Sequence, residues 1–224
     1  MSAGVVDVFR QAGGEFLTPP EQLAAKLGDV QALLFDWDGV FTDGSKDGEG
    51  HSRFSESDAM GVNLLRFAVW LARGSLPITA IITGETNPTA QALAQREHFD
   101  AVMPLAKNKM EVFERFCARF QLRSSQVLFC FDDVLDLQVA TQCGVRLMIR
   151  HPGSLLLRRY VSAQSVADYI TAASGGCEGL REACELAIGL MGRFDSVVTQ
   201  RMTFSAGYQQ YLSARNSVGT LNTL

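Results

Sequence analysis

Ala32-Leu33-Leu34-Phe35-Asp36-Trp37-Asp38-Gly39-Val40 is the stretch that decides the fold. Leu33 to Phe35 form a short apolar run with no helical period, the pattern of a buried strand. Two carboxylates follow it. The carboxyl ends of strands in a parallel sheet open onto its binding crevice, so Asp36 and Asp38 are expected there. Acids this close repel each other unless a cation, a proton or both hold them. The pair predicts a divalent-metal site in which one acid attacks and the other handles protons. The plainer alternative is a solvated Asp-Gly turn after a strand.

Working outward, Pro77 opens a second buried strand over Ile78 to Ile82, which ends in Thr83-Gly84. Ala101 to Met103, Val127 to Phe131 and Val145 to Ile149 read as further strands, the middle one ending in Asp132-Asp133. Between them lie helical patterns. Asp58 to Arg73 places Met60, Leu64, Leu65, Ala68 and Leu71 on one face. Asn87 is placed to cap a helix with Pro88 at its first position. Asn108 and Glu111 resemble a capping box at the next helix start. A helix to Cys143 stops at Gly144, and Glu178 to Leu190 closes the series. Phe41 to Phe54 is rich in Gly, Asp and Ser, and Asp47-Gly48 predicts a short projecting β-hairpin. Strands alternating with helices at this spacing predict an α/β fold, a doubly wound parallel sheet. Residues 31–193 make that domain. Residues 1–30 form an N-terminal extension, helical over Pro20 to Leu27, and 194–224 a polar C-terminal tail whose aromatics favour docking.

The chain has 224 residues, 47% of them hydrophobic, and a formal charge of −4. That charge argues against a nucleic-acid partner. No apolar run approaches the length of a membrane span, and no signal peptide is apparent. Cys117, Cys130, Cys143, Cys177 and Cys184 lack metal-ligand spacing and read as reduced core cysteines of a cytoplasmic protein.

Three strand ends carry reactive groups, Asp36 with Asp38, Thr83-Gly84, and Asp132 with Asp133, and Lys109 opens a helix. Their order and type resemble the four motifs of the haloacid dehalogenase superfamily of phosphotransferases. The resemblance implies a Rossmann-like core with Asp36 as nucleophile and Asp38 as general acid and then base. It implies Mg²⁺ held by Asp36, the Asp38 carbonyl and Asp132, and phosphoryl oxygens held by Thr83, Gly84 and Lys109. Asp133 and Asp136 stand behind them. The chemistry agrees: phosphoryl transfer asks for positioning and for cationic or donor groups, and Mg²⁺ prefers a few carboxylates plus phosphate. A phospho-receiver also clusters these residue types, but it places its phosphoacceptor on a later strand.

Neither Gly39 to Pro77 nor Gly84 to Lys109 leaves room for a cap domain. Asp38 to Gly44, Phe54 to Asp58, Ile81 to Gly84, Asn108-Lys109, Asp132-Asp133 and Gly175 to Glu182 are similar to a capless branch. That branch acts on 3-deoxy-manno-octulosonate 8-phosphate and on nonulosonate 9-phosphates. It implies a homotetramer, in which a neighbour covers a site for a small phosphorylated sugar acid. Glu85 and Arg96 match the nonulosonate members and mark them as specificity residues, so the favoured substrate is a nonulosonate 9-phosphate. The octulosonate phosphate and a non-catalytic regulatory or structural subunit are the alternatives. Phe131 departs from the branch by replacing a glycine, which predicts a crowded metal loop or altered backbone freedom there.

Overall fold

A computed structural model describes residues 3–223. The chain begins with α1 (Ala3–Gln11), a short edge strand β1 (Glu15–Phe16) and α2 (Pro20–Leu27). The core follows as β2 (Ala32–Phe35), α3 (Glu56–Arg73), β3 (Ile78–Ile82), α4 (Pro88–Arg96), β4 (Ala101–Met103), α5 (Lys109–Arg119) and β5 (Val127–Phe131). It continues through α6 (Leu137–Gln142), β6 (Val145–Arg150), α7 (Leu155–Ala163), β7 (Tyr169–Ser174) and α8 (Gly179–Leu190). Two further helices, α9 (Phe194–Met202) and α10 (Ala206–Asn216), complete the described chain.

The strands form one sheet in the order β1-β7-β6-β5-β2-β3-β4. All neighbours are parallel except β1, which runs antiparallel to β7. Alternation along each strand divides the core in two. Leu33, Phe35, Leu128 and Cys130 face one side, and Ala32, Leu34, Phe129 and Phe131 face the other. Both faces are covered, which is why these strands are apolar throughout. From β2 the chain winds outward to β3 and β4, then returns to β5 on the other flank. The β2–β5 junction is therefore the topological switch point, where the carboxyl ends of two neighbouring strands open a crevice.

The doubly wound sheet predicted from sequence is present, with no cap domain among the described residues. The predicted hairpin is not: among the described residues, 42–54 contain no strand. Asp47 accounts for this, since its carboxylate accepts from the amides of Glu49 and His51 at 2.9 Å each. Such side-chain bonds compete with a ladder. The two predicted caps also differ. Asn87 and Asn108 sit at the caps of α4 and α5, but neither side chain caps a backbone amide. Asn108 instead donates to Glu111 at 2.9 Å. Cys177, expected in the core, is exposed.

The extensions are folded onto the domain. Asp168, just ahead of β7, accepts from Thr18 Oγ1 at 2.6 Å and pairs with Lys26 at 2.6 Å and Arg146 at 2.8 Å. This ties the N-terminal segment to the sheet. At the other end, Tyr208 meets Phe67 of α3 edge-on at 5.1 Å, and Tyr211 lies 5.0 Å from the same ring. The aromatics of the tail dock within the chain. Leu221 pairs with both Asp100 and Val102 through backbone bonds, covering the β4 edge.

Candidate active site

Asp36, Thr83 and Asp132 directly follow β2, β3 and β5, so the parallel register delivers them to one crevice. Asp36 is still attached to the ladder through its amide, which donates to Cys130 O at 3.0 Å. The turn after it is set by Trp37, whose ring is fully buried and stacks on Phe41 at 5.0 Å. Trp37 Nε1 also donates to Ser52 Oγ at 2.8 Å, anchoring the 42–54 loop beside the site. Gly39 adopts a φ of +83°, and a Cβ there would meet Asp132 Oδ2 at 2.0 Å. A Cβ at Gly175 would meet Gly39 O at 1.9 Å. Glycine at both positions lets the turn at Gly39 pack against Asp132 on one side and against the loop at Gly175 on the other.

Lys109 is the buried cation of this crevice. Its Nζ lies 2.8 Å from Asp36 Oδ1 and 2.6 Å from Asp136 Oδ1. Burial alone would lower its pKa, but the two carboxylates outweigh that and hold it above the usual lysine range. Asp36 is pushed the other way, above the carboxylate range, by burial and then by the charge of Asp136. Asp132 is likewise raised, by burial first and then by Asp36 and Asp136. Several carboxylates thus share too little positive charge.

Asp36, Asp132 and Asp136 each offer an oxygen within 4.8 Å of the others. Asp132 Oδ1 and Asp38 Oδ1 are buried without a hydrogen-bond partner. Orphaned carboxylate oxygens beside hard oxygen donors fit a divalent cation such as Mg²⁺. Asp36 and Asp132 would hold it. Asp136 is engaged by Lys109 and by the Asp133 amide at 3.3 Å, which suits a supporting role. Asp38 is not one of the three clustered acids: its Oδ2 receives Asn87 Nδ2 at 3.2 Å and Lys46 Nζ at 2.9 Å.

The remaining expected residues divide. Thr83 is buried and accepts from Asn87 Nδ2 at 2.7 Å, and Gly84 follows it at the same strand end. Asp133 is exposed and caps the turn Val134–Asp136 through a 2.7 Å bond to the Val134 amide. Glu85 is exposed and pairs with Lys107 at 2.5 Å. Arg96 forms a two-pronged pair with Glu56 at 2.7 and 2.9 Å, and its Nε bonds Glu97 at 2.8 Å. Its guanidinium is therefore already occupied by two acids. Phe131 does not crowd the metal loop, because its ring turns into the core and stacks on Phe129 at 5.5 Å.

Three site residues were missed by sequence reasoning. Asn87 bridges Thr83 and Asp38, and its spacing of four from Thr83 was the available signal, taken for a cap. His151 directly follows β6 and lies 3.9 Å from Asp132 Oδ2, a position legible once β6 is extended to Arg150. Lys46 gave no signal, since its place depends on how the 42–54 loop folds back.

No protein-family model matches the chain. Among curated proteins, it is 26% identical over 180 residues to 3-deoxy-D-manno-octulosonate 8-phosphate phosphatase KdsC of Escherichia coli, spanning 79% of this chain and 88% of the relative. Two solved structures share the fold. A superfamily (subfamily III A) hydrolase of Legionella pneumophila matches with TM-score 0.67 and 23% identity, over 84% of this chain and 94% of that one. The octulosonate 8-phosphate phosphatase of Moraxella catarrhalis, solved with magnesium, phosphate and the sugar acid, matches with TM-score 0.66 and 22% identity, over 80% and 98% respectively. The aspartate pair, threonine, lysine and second aspartate pair stand at the expected strand and helix ends of a capless sheet, the chain is similar in sequence to the KdsC phosphatases, and it shares its fold with a haloacid dehalogenase hydrolase.

Proposed function

We propose that this phosphatase hydrolyses the phosphomonoester of a small sugar acid through a phosphorylated Asp36. The observation that carries the reading is the Asp36–Lys109–Asp136 chain beside the partnerless oxygens of Asp132 and Asp38. Lys109 fixes the Asp36 carboxylate, so one oxygen is held while the other is free to attack phosphorus. Asp38, steadied by the Asn87 amide, delivers a proton to the leaving oxygen. The ester P–O bond breaks, an alcohol departs, and the phosphoryl group is left on Asp36. Asp38 then takes a proton from water, which attacks the phosphorus and returns Asp36 and inorganic phosphate. Splitting the reaction in this way replaces one difficult step by two. Bound Mg²⁺ supplies positive charge to the phosphoryl oxygens during both steps.

The named relatives support a sugar-acid phosphate as the substrate class. Within it, Glu85 favours a nonulosonate 9-phosphate, as an exposed carboxylate directly after Thr83-Gly84 that would exchange its exposed Lys107 partner for sugar hydroxyls. Arg96 lends that choice no support, given its two acidic partners. The octulosonate 8-phosphate is the second reading, favoured by the relatives' own substrate. Phosphate release from both esters in Mg²⁺ decides between them, and Glu85→Arg is expected to move kcat/KM toward the octulosonate ester. Unchanged selectivity in that variant removes Glu85 from the argument. The exposed Leu105, Val134 and Leu135 also support a homotetramer whose neighbour covers the site. Light scattering of the purified chain tests it, and a monomer rejects it.

A further inference from the structure

The loop 42–54 carries a cation that the mechanism above does not use. Lys46 Nζ lies 2.9 Å from Asp38 Oδ2, with its side chain 27% exposed. Its charge also reaches Glu85. Lys109 differs in both respects, being 5% exposed and clamped between two carboxylates. Lys109 is fixed, whereas Lys46 has one close acidic partner and rides on a loop without a ladder.

Counting charges gives Lys46 a task. Asp36, Asp38, Asp132 and Asp136 set four carboxylates against the two ammonium groups of Lys109 and Lys46. A divalent cation closes that difference. A phosphate ester dianion then brings two further negative charges into the crevice, where charge is poorly screened. Lys109 cannot turn to meet them without leaving the Asp36 carboxylate unpartnered. Lys46 can.

We propose that Lys46 is a substrate-binding residue, parked on Asp38 in the free protein, whose ammonium transfers to a non-bridging oxygen of the entering phosphoryl group. The same movement removes the ionic partner of Asp38 Oδ2 and leaves that oxygen with the Asn87 amide alone. The 42–54 loop thereby couples arrival of the phosphate to release of the Asp38 ion pair. Trp37 and Ser52 hold the base of this loop, so its reach stays directed at the crevice.

The inference rests on the phosphatase reading, and one experiment separates the two. Mg²⁺-dependent turnover of p-nitrophenyl phosphate is measured with inorganic phosphate as competitor, in the wild type, Lys46→Ala and Lys46→Arg. Loss of one charge-assisted hydrogen bond should raise KM and the phosphate inhibition constant about tenfold to a hundredfold in Lys46→Ala. The fall in kcat should be smaller, and Lys46→Arg should return both constants close to wild type. Unchanged or tighter phosphate inhibition in Lys46→Ala overturns the proposal while leaving the phosphatase standing. So does an arginine variant as weak as the alanine one. A wild type with no metal-dependent turnover and no phosphate binding overturns both.

Discussion

The two ends of the sheet hold buried carboxylates under opposite regimes. At the amino end, Asp168 is fully buried and saturated: it receives the Thr18 hydroxyl, Lys26, the Arg146 amide at 2.9 Å and the Arg146 guanidinium. Burial alone would raise its pKa, but the hydrogen bonds from Arg146, Lys26 and Thr18 outweigh it and hold it below the usual carboxylate range. At the carboxyl end, Asp36 and Asp132 are buried with too few partners and are raised. A saturated buried acid joins segments. An undersupplied cluster of them is prepared for an ion and a reacting group.

The widest break between the two ends should come from Asp36→Asn. The amide cannot carry the phosphoryl group, so kcat should fall by about 10⁴-fold or more with the fold intact, as removal of a nucleophile does elsewhere. Near-normal turnover would reject Asp36 as the acceptor. Next in size, Asp168→Ala should cost about 1–3 kcal/mol in urea unfolding, because it removes the acceptor shared by Thr18 and by the partly exposed Lys26 and Arg146. Turnover per folded molecule should be unchanged, and a neutral stability effect would contradict the anchoring role. Asp168 also predicts a pH dependence with a definite sign. Its folded pKa lies below its ordinary 3.8, so its contribution is fully present above that value and is lost as pH falls through the depressed one. Acid unfolding of Asp168→Asn should be correspondingly shallower.

A comparable effect should come from metal. Mg²⁺ at a hundred times its dissociation constant should stabilise the wild type by about 2.7 kcal/mol. Asp132→Asn should abolish that gain, and in EDTA the variant should melt no lower than wild type, since a buried charge has been removed. A clear destabilisation in EDTA would mean that Asp132 behaves like Asp168, and the contrast between the two ends would fail.

How much of this was legible depends on the range over which each signal acts. The strands β2, β3, β4 and β5 announced themselves by apolar runs, and the acids and threonine of the crevice by lying immediately after them. β7 did not, because Thr171, Ala172, Ala173 and Ser174 form no such run, and its pairing is completed by the bulged end of β6. The tail helices α9 and α10 bury only Val197, Tyr208 and Tyr211, too sparse a stripe to read as periodic. Their order comes from the aromatic face of α3. The loop at 42–54 was misread for the opposite reason: its Asp-Gly pair suits a hairpin turn locally, while Asp47 binds its own neighbours and Trp37 pins Ser52.

By itself the sequence determined the fold class and the strand ends, with the acids that follow them, because strand periodicity and the residues that end a strand act within a few positions. Only the tertiary structure decided which acids lack partners and which are satisfied. It also showed that Arg96 is already occupied, that Asn87 serves the site, and that Lys46 reaches Asp38 from the loop. Those facts depend on distances across the crevice, and a one-dimensional pattern carries no such distances.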